Sequence, residues 1–329
     1  MTVLVTGGAG YIGAHTVRAL VRAGRPVVVL DTLELGHRAA VLGAPLVVGD
    51  VADRDLVRRV CDEYDVRQVV HFAAYKSVGE SMQHPGKYWA NNVGGSATLF
   101  DALAECGVLE VVFSSSCSVY GTPRLVPVAE DARLAPESVY AETKAMVERI
   151  LGWYDATRGL RSVSLRYFNA AGASDDAMIG EDWTCSINLI PLVMKAVLGA
   201  TGPVKVFGDD YDTPDGTCIR DYIHVDDLAD AHIKALDHLA RDGETTAVNL
   251  GTGIGSSVFD IIHTTERVTG QTVPHTVTDR RPGDPVATFA DPERSRSLLG
   301  WTATKSLDDI IASAWAWHSS HPDGYAAPA

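Results

Sequence analysis

Short apolar runs alternate with helix-patterned stretches through the first half of the chain. Val3-Leu4-Val5, Val27-Val28-Val29-Leu30, Leu46-Val47-Val48, Val69-Val70-His71-Phe72, Val111-Val112-Phe113 and Val163-Ser164-Leu165 are continuous and rich in β-branched residues. That pattern predicts parallel strands covered on both faces. Asp53 is placed as the N-cap of a helix reaching about Tyr64, and Asn92–Cys106 and Tyr140–Thr157 read as longer helices. Six strands with helical crossovers predict an α/β fold, a doubly wound parallel Rossmann sheet over residues 1–168. After about Asn169 the rhythm breaks into Gly- and Asp-rich loops, notably Ala173–Asp182 and Gly208–Gly216. Residues 169–329 are expected to form mainly a smaller mixed α/β lobe for substrate, with some segments returning to the first domain. Leu307, Ile310, Ile311 and Trp315 share one face of a terminal helix, and the tail from Pro322 is expected to fray.

Composition narrows the function class more than the fold. A length of 329 residues suits two domains or one large α/β unit, and a hydrophobic content of 46% is ample for a core. The formal net charge of −14 argues against nucleic acid as a partner. Cys61, Cys106, Cys117, Cys185 and Cys218 form no CxxC pair, and no His/Cys cluster has zinc spacing, so no metal is expected. Scattered and odd in number, they read as reduced thiols of a cytoplasmic protein. No signal-peptide pattern precedes the first strand and no apolar run approaches the length of a membrane span.

Candidate chemistry begins at residues 6–13, Thr-Gly-Gly-Ala-Gly-Tyr-Ile-Gly, directly after the first strand. Gly7, Gly10 and Gly13 have G-x-x-G-x-x-G spacing, which allows a tight turn and close backbone approach to a pyrophosphate at a helix N-terminus. The second strand runs into Asp31, 18 residues past Gly13. A carboxylate there accepts hydrogen bonds from ribose hydroxyls and repels a 2′-phosphate, which favours NAD over NADP. Asp50, after the third strand, is placed at the crevice edge near the adenine; on position alone it is equally a turn residue.

Tyr140-Ala141-Glu142-Thr143-Lys144 is a Y-x-x-x-K, so both side chains project from one helix face. A nearby ammonium and a cationic nicotinamide would stabilise a phenolate able to take a proton from a sugar hydroxyl. Taken alone, the pair is also that of an ordinary exposed helix. The fifth strand ends in Phe113-Ser114-Ser115-Ser116-Cys117-Ser118-Val119-Tyr120-Gly121. Its hydroxyls either serve a ligand beyond the strand's carboxyl end or satisfy their own turn.

On these motifs the chain resembles the extended short-chain dehydrogenase/reductase superfamily. Further segments resemble UDP-galactose 4-epimerases: His71-Phe72-Ala73-Ala74-Tyr75-Lys76-Ser77-Val78-Gly79-Glu80-Ser81, Leu165-Arg166-Tyr167-Phe168-Asn169, and Phe207 through Thr217 into Ile219-Arg220-Asp221-Tyr222-Ile223-His224-Val225. The resemblance covers almost the whole chain. It implies Tyr140 as base, Ser116 as its hydroxyl partner, and Lys144 as ligand of the nicotinamide ribose that depresses the tyrosine pKa. It places Tyr11, Ile12, Val51, Phe72, Ala73, Lys76, Asn91 and Tyr167 at the NAD cofactor. Asn169, Asn188, Phe207, Arg220, Arg281 and Asp284 are placed at the UDP moiety of a UDP-hexose. The two arginines suit diphosphate because guanidinium presents forked donors to phosphate oxygens; for Arg281, beside Arg280, a surface salt bridge stays open.

The implied reaction oxidises C4′ of the hexose and re-reduces it from the opposite face, so the sugar must turn over while UDP stays anchored. Nucleotide-sugar 4,6-dehydratases and UDP-glucuronate decarboxylases usually carry an acidic residue after the hydroxyl residue of the fifth-strand motif, where this chain has Cys117 and Ser118. An NAD-binding regulator would not need Ser116, Tyr140 and Lys144 together. Residues 32–37, Thr-Leu-Glu-Leu-Gly-His, depart from the family at the adenine ribose; Glu142 and Thr143 depart inside the Y-x-x-x-K and are expected to sit off its active face. The resemblance aligns Thr288 with a wall of the hexose pocket. Family members with tyrosine there take only UDP-glucose and UDP-galactose, whereas a small residue admits N-acetylated sugars. It also implies a homodimer formed through the helices near Asn92–Cys106 and Tyr140–Thr157.

Overall fold

The structure, a computed structural model, describes residues 1–184, 186–281 and 283–325, so Cys185 lies outside the described residues. The first half runs β1 (Thr2–Thr6), α1 (Tyr11–Arg22), β2 (Val27–Asp31), β3 (Leu46–Val48), α2 (Arg54–Tyr64), β4 (Val66–His71), α3 (Val78–Gln83), α4 (Pro85–Tyr88), α5 (Ser96–Glu105), β5 (Glu110–Ser114), α6 (Val139–Arg158) and β6 (Arg161–Tyr167). The second half continues with β7 (Asn169–Ala171), α7 (Leu189–Val197), β8 (Val204–Phe207), β9 (Ile219–Arg220), β10 (Tyr222–His224), α8 (Val225–Ala240), β11 (Thr246–Leu250), β12 (Ser256–Ser257), α9 (Val258–Thr269), β13 (His275–Thr278), β14 (Ala287–Thr288), α10 (Glu293–Leu299) and α11 (Leu307–Ser320).

Alternation within β1 explains the layers. Val3 and Val5 face one way, into a core shared with Val17 and Leu20 of α1 and Leu228, Ala231 and Ala235 of α8. Leu4 faces the other, against Val57 and Val60 of α2, Leu99, Phe100 and Leu103 of α5, and Val147 and Leu151 of α6. Each valine, leucine or phenylalanine among them contributes about 1.5–3 kcal/mol when buried, which holds helices on both faces of one parallel sheet. The strand order is β11-β6-β5-β4-β1-β2-β3, and β1 has β4 on one side and β2 on the other. The six strands expected from the apolar runs match β1–β6. The seventh, β11, comes from the second half and pairs with β6 from Thr246↔Val163 to Leu250↔Tyr167. A third core gathers Ile190, Val193 and Met194 of α7, Ile261 and Ile262 of α9, and Ile310 and Ile311 of α11.

Local details follow from capping chemistry. Asp53 Oδ1 accepts from Leu56 N at 2.9 Å and starts α2 as expected. Ser138 caps α6 by accepting from Ala141 N. The helix expected from Asn92 instead opens with a π-helical turn, Trp89–Gly95, before α5 begins at Ser96. The wider turn carries Asn92 inward, where its amide bonds both the N–H and the carbonyl of Tyr75. The tail also differs from expectation. Trp183 Nε1 donates to the Pro322 carbonyl, and the Tyr325 ring stacks on His37 at 4.6 Å while its hydroxyl bonds the Gly180 backbone. Residues 326–329 lie outside the described residues.

Candidate active site

The glycine loop leaves β1 and enters α1 with no room for a side chain at Gly7 or Gly13. Gly7 has φ +69°, and a Cβ there would lie 2.6 Å from Ala73 N; at Gly13 it would lie 2.3 Å from Gly7 O. Gly10 is the N-cap of α1 and supplies no side-chain cap. The first-turn N–H groups and the positive end of the helix dipole therefore remain for an anion. At the end of β2, Asp31 Oδ2 accepts from Ala9 N at 2.9 Å and Oδ1 from Leu33 N at 2.8 Å. An ionised carboxylate has about four acceptor positions, so two remain for ribose hydroxyls. The glycine cradle, the open helix end and the fixed carboxylate fit a dinucleotide.

Other residues assigned to that side are placed unevenly. Phe72 and Ala73 follow β4 at the same edge of the sheet, with Phe72 tilted against His232 at 4.7 Å. Val51 is buried in the sheet core and Ile12 packs against the α1–α8 core. Tyr11 donates to the Gly172 carbonyl at 2.6 Å, tying the glycine loop to β7. Asp50 is exposed and one of its oxygens accepts from Ala52 N at 2.9 Å. Asn91 donates to Asn92, and it is Asn92 that is buried and holds Thr143 as well as Tyr75. Thr143, expected to sit idly off the active face, is wholly buried and also donates to the Tyr140 carbonyl.

Ser114, Ser116, Tyr140, Lys144 and Tyr167 converge where β5 and β6 end. Lys144 is buried; its Nζ donates to the Ser114 carbonyl at 2.7 Å and lies 5.9 Å from the Tyr140 ring centroid. Tyr167 and Ser114 hydroxyls are 2.5 Å apart. Ser116 caps the turn after β5, accepting from Ser118 N and Ser118 Oγ. Burial holds the Tyr140 phenol well above its ordinary pKa, with the Tyr167 hydroxyl adding to the rise and a hydrogen bond from Ser116 pulling the other way. Burial also brings Lys144 down to about 7, opposed by Glu148. Among protein groups alone, then, loss of solvation dominates the tyrosine and holds its pKa up. Burial pushes the Cys117 thiol up to about 12, so it stays protonated near neutrality.

The second half supplies the facing wall. Asn169 N donates to the Asp221 carbonyl as β7 pairs with β10. Arg220 forms an ion pair with Asp284 at 2.9 Å and also donates to the Pro285 carbonyl. The pairing of β9 with β14 sets Thr288 opposite Arg220. Thr288 is buried, and its Oγ1 has no hydrogen-bond partner among the described residues. Arg281 is exposed and lies over the Phe207 ring at 4.3 Å; the surface salt bridge belongs instead to Arg280, with Asp210. Asn188 Nδ2 donates to Glu181, whose carboxylate also meets Lys76 at 3.6 Å. Glu181, buried in an irregular loop, joins a residue expected at the cofactor to one expected at UDP; no local pattern singles it out. Glu148 was equally unmarked, although its spacing from Tyr140 and Lys144 repeats the same helix face. Asp175, His224 and Asp226 are clustered closely enough to hold a cation, but each is engaged, by Lys305, Ser313 and His15 respectively.

Comparison with known proteins agrees with this geometry. Residues 3–251 match the model of the NAD dependent epimerase/dehydratase family. The chain is 47% identical over 327 residues to a UDP-glucose 4-epimerase of Lactobacillus helveticus, covering 99% of each. It superposes on the UDP-glucose 4-epimerase of Bifidobacterium longum in complex with NAD+ and UDP with a TM-score of 0.92, at 39% identity and covering 98% of this chain and 100% of that one. The UDP-Glc/GlcNAc 4-epimerase of Campylobacter jejuni gives a TM-score of 0.86 at 36% identity, covering 97% and 99%.

Proposed function

The chain belongs to the NAD dependent epimerase/dehydratase family, and from that premise we propose that it interconverts UDP-glucose and UDP-galactose as an NAD-dependent 4-epimerase. The observation that carries this reading is the convergence of Ser116, Tyr140 and Lys144 two strands along the sheet from a glycine-cradled, uncapped helix N-terminus. NAD, when bound, supplies a reversible two-electron acceptor for C4′ of the hexose. Tyr140 takes the proton of the 4′-hydroxyl and later returns it. Ser116 hydrogen-bonds that oxygen, and charged Lys144 holds the nicotinamide ribose. Arg220, Arg281, Asn169, Asn188, Phe207 and Asp284 anchor UDP, leaving the hexose free to turn about its bond to the diphosphate. Purified protein is expected to convert UDP-galactose to UDP-glucose with no added NAD and no accumulating NADH absorbance; net NADH production would reject the epimerase.

Thr288 sets the sugar scope in this reading. It lies in register with Arg220 and presents a small side chain whose hydroxyl has no partner among the described residues. A close-packed tyrosine there would remove the space an acetamido group needs. The protein is therefore expected to interconvert UDP-GlcNAc and UDP-GalNAc as well. Thr288→Tyr should cut that activity by about 10²-fold while sparing UDP-galactose turnover. Wild-type turnover of UDP-galactose but not of UDP-GalNAc would refute the open wall.

The proposal extends to a cytoplasmic homodimer. Cys61, Cys106, Cys117 and Cys218 are free, and no helix among the described residues is long and apolar enough to cross a membrane. Trp153 on α6 is 72% exposed, on one of the two helices expected to pair. Light scattering at micromolar concentration should give twice the chain mass, and Trp153→Glu should give the chain mass.

A further inference from the structure

We propose that Glu148 is a positioning residue for the reaction: its carboxylate, one helical turn past Lys144, keeps that lysine charged and fixes the β5 end that carries Ser116. The inference rests on the role given to Lys144 above.

Tyr140, Lys144 and Glu148 are spaced i, i+4, i+8 and share one face of α6. Glu148 is held on all sides. Its Oε1 accepts from Ser115 Oγ at 2.5 Å and from Arg166 Nε at 3.0 Å, and its Oε2 accepts from Arg166 NH2 at 2.5 Å. Arg166 in turn donates to Tyr120 Oη, which donates to Asn249 on β11. Ser115 sits between the residue whose carbonyl receives Lys144 and the residue that faces Tyr140. The carboxylate thereby couples α6 to the strand end on which the site is built.

Charge gives the same residue a second effect. Of the groups around Lys144, His71 on β4 is brought down to about 3 by burial and is neutral across the working range. Burial likewise pushes Tyr167 on β6, Cys117 after β5 and Tyr120 beyond it up to about 12, and Tyr140 is raised too, so all four are uncharged. Arg166 on β6 is paired with Glu148 and also donates to the Glu130 carbonyl. Glu148 is then the group that opposes the burial of Lys144. With the lysine at about 7, its charge near neutrality responds steeply to any change in that field.

Glu148→Gln keeps the shape and an acceptor for Ser115 but removes the charge. Competitive acetylation of Lys144 at stepped pH, read by mass spectrometry, should show its midpoint move down by about one pH unit. The alkaline limb of kcat/KM should move down with it. Glu148→Asp should restore both midpoints. Ser115→Ala, which loses only the hydrogen bond, should leave them in place even if it lowers kcat. Should E148Q fail to fold because Arg166 is left buried and unpaired, E148Q/R166M removes both partners and should show the same downward move. An unmoved midpoint in whichever Gln variant folds, or the same move in Ser115→Ala, overturns the proposal. Absence of UDP-galactose turnover in the wild type would instead overturn the reading it rests on, and the acetylation midpoints would still judge the charge effect.

Discussion

Tyr140→Phe is expected to lower kcat for UDP-galactose by about 10²–10⁴ while the protein keeps its bound NAD and its melting temperature. The substitution removes one oxygen and leaves the ring. In the structure that oxygen is served by Ser116 and sits near the Tyr167 hydroxyl, at a place where burial discourages its ionisation. A group held protonated by burial can serve as the acid, and it can serve as the base only when nearby positive charge stabilises the phenolate. Phenylalanine can do neither. A Phe variant within about threefold of wild type would show that another group moves the proton, since general-base loss costs far more than that.

Gly13→Ala is expected to have the larger structural effect, lowering the unfolding free energy by about 3 kcal/mol and the NAD retained through purification by at least about tenfold. The added Cβ would stand 2.3 Å from Gly7 O and 2.8 Å from Gly8 Cα. Both are backbone atoms of the loop that must approach the pyrophosphate, so relief requires α1 to lift away from β1. Gly10→Ala provides the contrast. There the new atom meets only Gly7 O, at 3.3 Å, and φ is an ordinary −81°. Gly10→Ala should retain most of its stability. Denaturant melts and NAD content measured on both variants decide the matter: equal behaviour would mean that the loop does not work by close backbone approach.

The sequence by itself determined the features that one segment can encode. β1 to β6 were legible because strands buried on both faces must be apolar without interruption, as Val27-Val28-Val29-Leu30 is. The Asp53 cap, the glycine loop and the shared face of Tyr140 and Lys144 were legible because caps, tight turns and helical repeats act over four residues or fewer. Tertiary structure decided what depends on partners far along the chain. Thr246-Ala-Val-Asn-Leu250 has polar residues at Thr246 and Asn249 and no β-branched apolar run to declare it a sheet strand, and becomes one because β6 offers it an open edge. The π turn before α5 exists to satisfy Tyr75, 17 residues from Asn92. Tyr325 is fixed by the backbone at Gly180, 145 residues away. The protonation of Tyr140 and Lys144 likewise came from tertiary structure. A sequence names the titratable groups, but their solvation is lost only when β4, β5, β6 and α6 close around them, and that loss dominates both groups.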